Sequence, residues 1–239
     1  AHVRDLLQEL LHSSGTAYIL GGEGILGLEA ACASLTEPGD RVLVLDNGIF
    51  GKGFADFAKM YGGEPVLFTS DYQKPIDAAE LRAFLEKDSD FKYATVVHCD
   101  TPSGVINDVS VICPMLAEFG ILSVVDSVAG MFGEYVNVDE SQIDILCGGS
   151  QKALSAPAGL TMLWVSDKAM AAMENRKTPI AAFYANILTF KTYYEDKWFP
   201  YTMPISDING LRVAVDNVKA EPDIVERHAK IAAATRQAV

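Results

Sequence analysis

Short apolar runs rich in β-branched residues recur along this chain, separated by stretches whose apolar residues fall at helical spacing. That alternation is the pattern of stacked βαβ units around a mostly parallel sheet, and it excludes most other architectures. Leu6, Leu7, Leu10 and Leu11 share one face of a helix over 3–14, and a strand follows over 16–20. The unit then repeats: helix 25–35 and strand 41–46, helix 50–61 and strand 66–69, helix 77–88 and strand 93–99, helix 109–119 and strand 121–125. Successive crossovers of this kind are right-handed, so the expected fold is a doubly wound α/β sheet with helices on both faces. Two more strands are read over 143–147 and 160–165; no helical pattern separates them, so the second is expected antiparallel. From residue 206 the pattern is helical only, over 208–219 and 224–239, which suggests a boundary near 205.

The chain has 239 residues, 49% of them hydrophobic, with 19 Gly and 10 Pro, a composition for a packed core rather than a disordered or collagen-like chain. Its formal charge of −13 repels a phosphate backbone, so nucleic acid is not expected as a partner. No apolar run approaches a membrane span, and Cys32, Cys99, Cys113 and Cys147 lie in or at the ends of apolar runs without a C-x-x-C pair. They read as reduced core thiols of a cytoplasmic protein. The four histidines lack metal-ligand spacing, so no metal site is expected.

In open α/β sheets ligands sit where strands end, so strand C-termini are the first places to look for chemistry. Between Asp144 and Asp167 the only charged residue is Lys152, set among Gly, Ala, Leu and Pro. An ammonium stripped of water there becomes a nucleophilic amine, suited to a Schiff base; an ordinary exposed loop lysine is the other reading. Asp126 ends the run 122–125 and is either a turn-forming residue or a ligand-facing carboxylate. In the second case it suits the ring nitrogen of a pyridoxal group, keeping it protonated.

The segments around Ser150-Gln151-Lys152-Ala153, Val125-Asp126-Ser127-Val128, Asn47-Gly48-Ile49-Phe50 and Glu37-Pro38-Gly39-Asp40 resemble, in order, the class V aminotransferases of the fold type I pyridoxal-phosphate superfamily. That resemblance implies pyridoxal 5′-phosphate as cofactor, with Lys152 as the Schiff-base lysine that also carries the proton. Asp126 becomes the partner of the ring nitrogen, Phe50 the ring stacked on the pyridine, and Thr101 a hydrogen bonder to ring substituents. Gly24, Ile25, Gln151, Tyr201 and Thr202 fall at positions that line or contact the cofactor, with Gln151 and Thr202 in the phosphate cup. Thr202 is expected from the neighbouring subunit of a homodimer. Residues 1–205 would be the cofactor-binding domain and 206–239 the helical start of a small domain, otherwise missing together with the arginine that holds the substrate carboxylate.

Glu23 departs from the family pattern. It stands where most members offer a small hydroxyl residue and backbone N–H groups to the phosphate. A carboxylate aimed there opposes a dianion, unless it merely caps the helix it precedes. One branch, the pyridoxamine–pyruvate transaminases, has Glu at this place and takes unphosphorylated pyridoxamine as substrate, and the segment from Glu23 to Ala30 resembles it. Gln151 departs from that branch towards the phosphate users. The expected reaction is therefore pyridoxamine plus pyruvate to pyridoxal plus alanine, with alanine or serine transamination against glyoxylate or pyruvate as the alternative. A truncated chain that binds pyridoxal without turnover is a third reading. Cysteine desulfurases put His where Gln151 stands and fit less well.

Overall fold

The computed structural model describes residues 2–238. Seven strands form one sheet: β1 (Thr16–Gly21), β2 (Arg41–Asp46), β3 (Glu64–Thr69), β4 (Tyr93–Val97), β7 (Leu122–Asp126), β8 (Ile145–Gly149) and β9 (Leu160–Val165). Their order across the sheet is β1-β9-β8-β7-β4-β2-β3. All neighbours are parallel except the two pairings of β9, which runs against both β1 and β8. The antiparallel expectation for residues 160–165 is met. Two further short strands, β5 (Cys99–Asp100) and β6 (Val105–Ile106), make a separate hairpin. The strand expected over 93–99 thus stops at Val97: the His98 N–H still donates to Asp126 O on the neighbouring β7, but its carbonyl leaves the sheet and accepts from Asn107 N.

Alternate residues of the buried strands face two separate cores. Leu43, Leu45, Val96, Val125, Leu146 and Trp164 pack on one side, and Val42, Val44, Tyr93, Val97, Val124, Ile145 and Leu163 on the other. The first side is covered by α1 (His2–Leu10), α4 (Ala78–Leu85), α5 (Val109–Glu118) and α7 (Ile205–Ala220); the second is covered by α2 (Gly24–Leu35), α3 (Ile49–Met60) and α6 (Asp167–Glu174). This is the doubly wound arrangement that near-continuous apolar strands require, since both sheet faces must be shielded from water. The first helix ends at Leu10 rather than at 14, where His12 turns into the left-handed region (φ 51°) and the chain swings back into β1. α6 has no counterpart among the expected helices. Its Ser166 cap accepts from Ala169 N at 3.1 Å, and only Ala169 and Met173 are buried, too sparse a stripe for periodicity to reveal.

α7 is docked rather than free: Leu211, Ala214, Val215 and Val218 join the same core as Leu6, Leu7 and Trp164. α8 (Ile224–Ala238) buries only Ile224. Trp164 is the largest side chain in this core, 1% exposed, and its indole N–H donates to Leu7 O at 3.3 Å. Trp164→Ala is expected to lower unfolding stability by about 3–5 kcal/mol, measured as a shift of the urea midpoint at unchanged slope.

Candidate active site

The parallel strands end along one edge of the sheet, and the register there brings distant residues together. Asp126 lies between Val97 on β4 and Cys147 on β8, while Gly21 at the end of β1 pairs with Leu160 at the start of the reversed β9. A cavity of about 240 Å³ opens at this edge, lined by Glu23, Ile25, Leu28, Phe50, Cys99, Thr101, Asp126, Val128, Ala129 and Lys152. Six expected residues therefore meet in one place: Glu23, Ile25, Phe50, Thr101, Asp126 and Lys152.

Asp126 forms the floor, 7% exposed, with Val128 N–H donating to Oδ1 at 3.0 Å as the one hydrogen bond to its carboxylate among the described residues. Burial pushes its carboxyl up to about 6; Glu23 and Asp100 add to the rise, while Val128 N–H and the Lys152 charge oppose it. One oxygen closes the turn, as the turn reading expects, and the group as a whole lines the cavity. Behind it His98 is buried, held neutral by burial at about 4, with its Nδ1 3.0 Å from Ser127 Oγ. It is a satisfied interior histidine that braces the Asp126 loop.

Lys152 sits on the turn between β8 and β9. That turn is closed by Ser150, whose Oγ donates to Pro157 O at 2.6 Å and accepts from Leu160 N. The side chain of Lys152 is exposed and faces the cavity from its rim. The expected stripping of its water is not found: Ser155, Pro157 and Ala158 stand out into solvent, so the apolar neighbours in sequence do not enclose the ammonium. Phe50, near the start of α3, is 46% exposed and lines the cavity rather than the core. Thr101 is exposed on the turn after β5. That turn is built on Asp100, whose Oδ2 accepts from Ser103 Oγ at 2.7 Å.

Glu23 caps the helix it precedes and also lines the cavity. Its Oε2 accepts from Ile25 N at 3.0 Å, capping α2, and its Oε1 accepts from Gln151 Nε2 at 2.7 Å. Burial works against the charge, but these hydrogen bonds and the nearby Lys152 ammonium outweigh it and hold the carboxyl below its ordinary value. Glu23 is thus an anion at a helix N-terminus, where the exposed N–H groups and the helix dipole favour negative charge. Gly24 serves by having no side chain: a Cβ there would lie 2.8 Å from Val128 Cγ2, so α2 could not start so close to the Asp126 loop.

Tyr201 and Thr202 do not line this cavity. They border a separate apolar groove with Ile19, Tyr193 and Phe199. Tyr201 stacks on Tyr184 with centroids 4.3 Å apart, and its hydroxyl accepts from Gly21 N at 3.1 Å, so it steadies the strand end that leads to Glu23. Four lining residues lie outside the expected set. Leu28 follows Ile25 at helical spacing, and Val128 and Ala129 directly follow Asp126. Cys99, expected as a core thiol, is instead half-buried on the cavity wall because β4 ends before it.

The residues fit a pyridoxal ring. A buried carboxylate with one hydrogen bond and no ion pair among the described residues matches a protonated ring nitrogen, which would supply the missing partner. An exposed aromatic side chain and an amine in the same lining complete the set.

Residues 3–239 match the model of the family described as aminotransferase class-V, and the chain belongs to that family. It is 38% identical over 240 residues to a pyridoxamine–pyruvate transaminase of Mesorhizobium japonicum, covering 99% of this chain and 61% of the relative. The crystal structure of the pyridoxamine–pyruvate aminotransferase from Mesorhizobium loti superposes with a TM-score of 0.90 at 36% identity, covering 95% of this chain and 59% of that one. The ureidoglycine–glyoxylate aminotransferase of Bacillus subtilis superposes with a TM-score of 0.91 at 29% identity, again covering 95% and 59%. The chain thus spans about six-tenths of the length of the relatives it matches.

Proposed function

We propose that this chain is the cofactor-binding part of an aminotransferase that moves an amino group from pyridoxamine to pyruvate, giving pyridoxal and alanine. The observation that carries this reading is Glu23: an ionised carboxylate already occupies the helix N-terminus that a phosphate would otherwise take. A second anion there meets like-charge repulsion, whereas a 5′-hydroxyl can donate to the carboxylate.

In this reading Asp126, Phe50, Thr101 and Glu23 would hold the pyridoxal group, which when bound supplies an electron sink for the pair left when a C–H proton is removed from the amino-bearing carbon of pyridoxamine. Asp126 gains from its burial here, because a desolvated carboxylate holds an opposing N–H⁺ more strongly than a solvated one. The face of Phe50 fixes the plane of the ring and excludes water from one side. The amine of Lys152, reaching in from the rim, takes the proton from one carbon and returns it to another as general base and then general acid. Thr101 donates its hydroxyl to the ring substituents. Thr202, away from the cavity of its own chain, is assigned to the site of a second copy in a homodimer. The free cysteines suit a cytoplasmic protein.

The test is a titration with pyridoxal and with pyridoxal phosphate, followed by absorbance, for the unaltered chain and for Glu23→Ser. Pyridoxal is expected to bind more tightly to the unaltered chain. The substitution is expected to move the ratio of the two dissociation constants towards the phosphate by roughly 100-fold. Tighter binding of the phosphate with Glu23 intact would overturn the pyridoxamine reading and leave the alternative, phosphate-dependent transamination against glyoxylate or pyruvate.

A further inference from the structure

The amide of Gln151 is spent on Glu23. Its Nε2 donates to Glu23 Oε1 at 2.7 Å, a bond between residues 128 positions apart in sequence. Its other end is left without a partner: Oε1 is buried and accepts no hydrogen bond among the described residues. The amide cannot turn over to satisfy that oxygen, because doing so would set a carbonyl against a carboxylate. Leaving a buried acceptor unpaired is tolerated only if the bond at the other end is worth more, and a hydrogen bond to an ionised group is among the stronger kinds. The lack of a side chain at Gly149 leaves room for this arrangement, since a Cβ there would come within 3.2 Å of that same Oε1.

From this geometry we infer that Gln151 is a specificity-determining residue that acts through Glu23: it holds the carboxylate over the N-terminus of α2 and thereby selects ligands without a 5′-phosphate. The inference rests on the reading of Glu23 given above. Glu23 is itself exposed, so a carboxylate bound only by Ile25 N–H has open water to turn into. Two donors from two different elements, the start of α2 and the turn after β8, fix both of its oxygens over the cavity rim. With one N–H given to the carboxylate, the orientation of the Gln151 amide is set by Glu23. In a chain lacking the carboxylate the same amide would be free to turn towards a phosphate.

The role of Gln151 therefore reverses sign with residue 23, and a pair of substitutions reads the reversal. Gln151→Met keeps the length of the side chain and removes the donor. In the full chain with Glu23 present, Gln151→Met is expected to tighten pyridoxal phosphate binding about tenfold relative to pyridoxal, because the carboxylate is released towards solvent. In the Glu23→Ser background the same change is expected to weaken pyridoxal phosphate binding by a similar factor, since a free amide donor to the phosphate is lost. Gln151→Glu, which sets a second carboxylate beside the first, is expected to weaken phosphate binding further while Glu23 is present. The readout is the ratio of dissociation constants for the two ligands, which a general loosening of the turn would leave unchanged. If Gln151→Met moves the ratio in the same direction in both backgrounds, or moves it in neither, the inference falls even where Glu23→Ser inverts the preference. If Glu23→Ser leaves the preference unchanged, the reading of Glu23 falls first and this inference with it.

Discussion

Lys152→Ala is expected to leave a folded chain that borohydride no longer links to pyridoxal, with amino transfer lower by about 10³-fold or more. The two halves of that result come from different parts of the structure. The side chain of Lys152 is exposed and makes no hydrogen bond or ion pair among the described residues, so its removal costs the fold little. The turn that carries it is held by Ser150 and by Ser155 N–H donating to Lys152 O, and a backbone carbonyl survives the substitution. What disappears is the amine that both captures the ligand and transfers the proton, and proton transfer alone contributes about 10²–10⁴-fold. Lys152→Arg separates charge from nucleophilicity: its guanidinium keeps the positive charge at the rim but cannot lose a proton to become a nucleophile. It is expected to match Lys152→Ala in trapping and in rate. Unchanged melting temperatures for both variants, beside the lost label, are the result that assigns Lys152 a chemical role. Label retained in Lys152→Ala would move the assignment to another lysine.

The sheet is legible in the sequence because both its faces are buried: runs such as Val42–Leu45 and Val124–Val125 are apolar without interruption, and only a strand covered on both sides is written that way. Helix ends are less legible, since they depend on single residues. His12 stops α1 by taking a positive φ that its residue type does not announce, and α6 starts on a serine cap above a sparsely buried face. In the site, the strand-end rule locates Asp126 and the turn bearing Lys152, because the topology forces parallel strands to finish at one edge. Two errors there share one cause. The character of their neighbours in sequence places Cys99 in the core and Lys152 in an apolar nest. Burial is instead set by where β4 ends and how the turn after β8 folds back through Ser150. The bond between Gln151 and Glu23 joins two loops that only the sheet order brings together, and no local pattern in either segment reports it.

Asp126→Asn is expected to stabilise the ligand-free chain while crippling it. Burial raises the Asp126 carboxyl from 3.8 to about 6, so the folded chain holds that proton across a range where the unfolded chain releases it. The stability that the protonated form contributes is complete below about pH 4, and it is lost as the pH rises through about 6. Above that, the chain carries a buried carboxylate at a cost of about 3 kcal/mol, since each pH unit between the unfolded and folded values is worth about 1.36 kcal/mol. The amide introduced by the substitution stays uncharged at every pH, and its oxygen can still accept from Val128 N–H, so the turn is kept. Urea unfolding of the two chains should therefore give similar stabilities near pH 4 and a gap favouring the variant that opens between about pH 4 and 6 and holds at about pH 8. Equal stabilities at the alkaline end would mean that the carboxylate already has a counter-charge. Amino transfer is expected to fall roughly 10²–10³-fold, the scale for losing one preorganised electrostatic partner. Pyridoxal should then stabilise the unaltered chain more than the variant. The charge that costs the empty cavity stability is the one that a protonated ring nitrogen offsets on binding, so ligand addition at about pH 8 should close part of the gap that ligand-free unfolding opens.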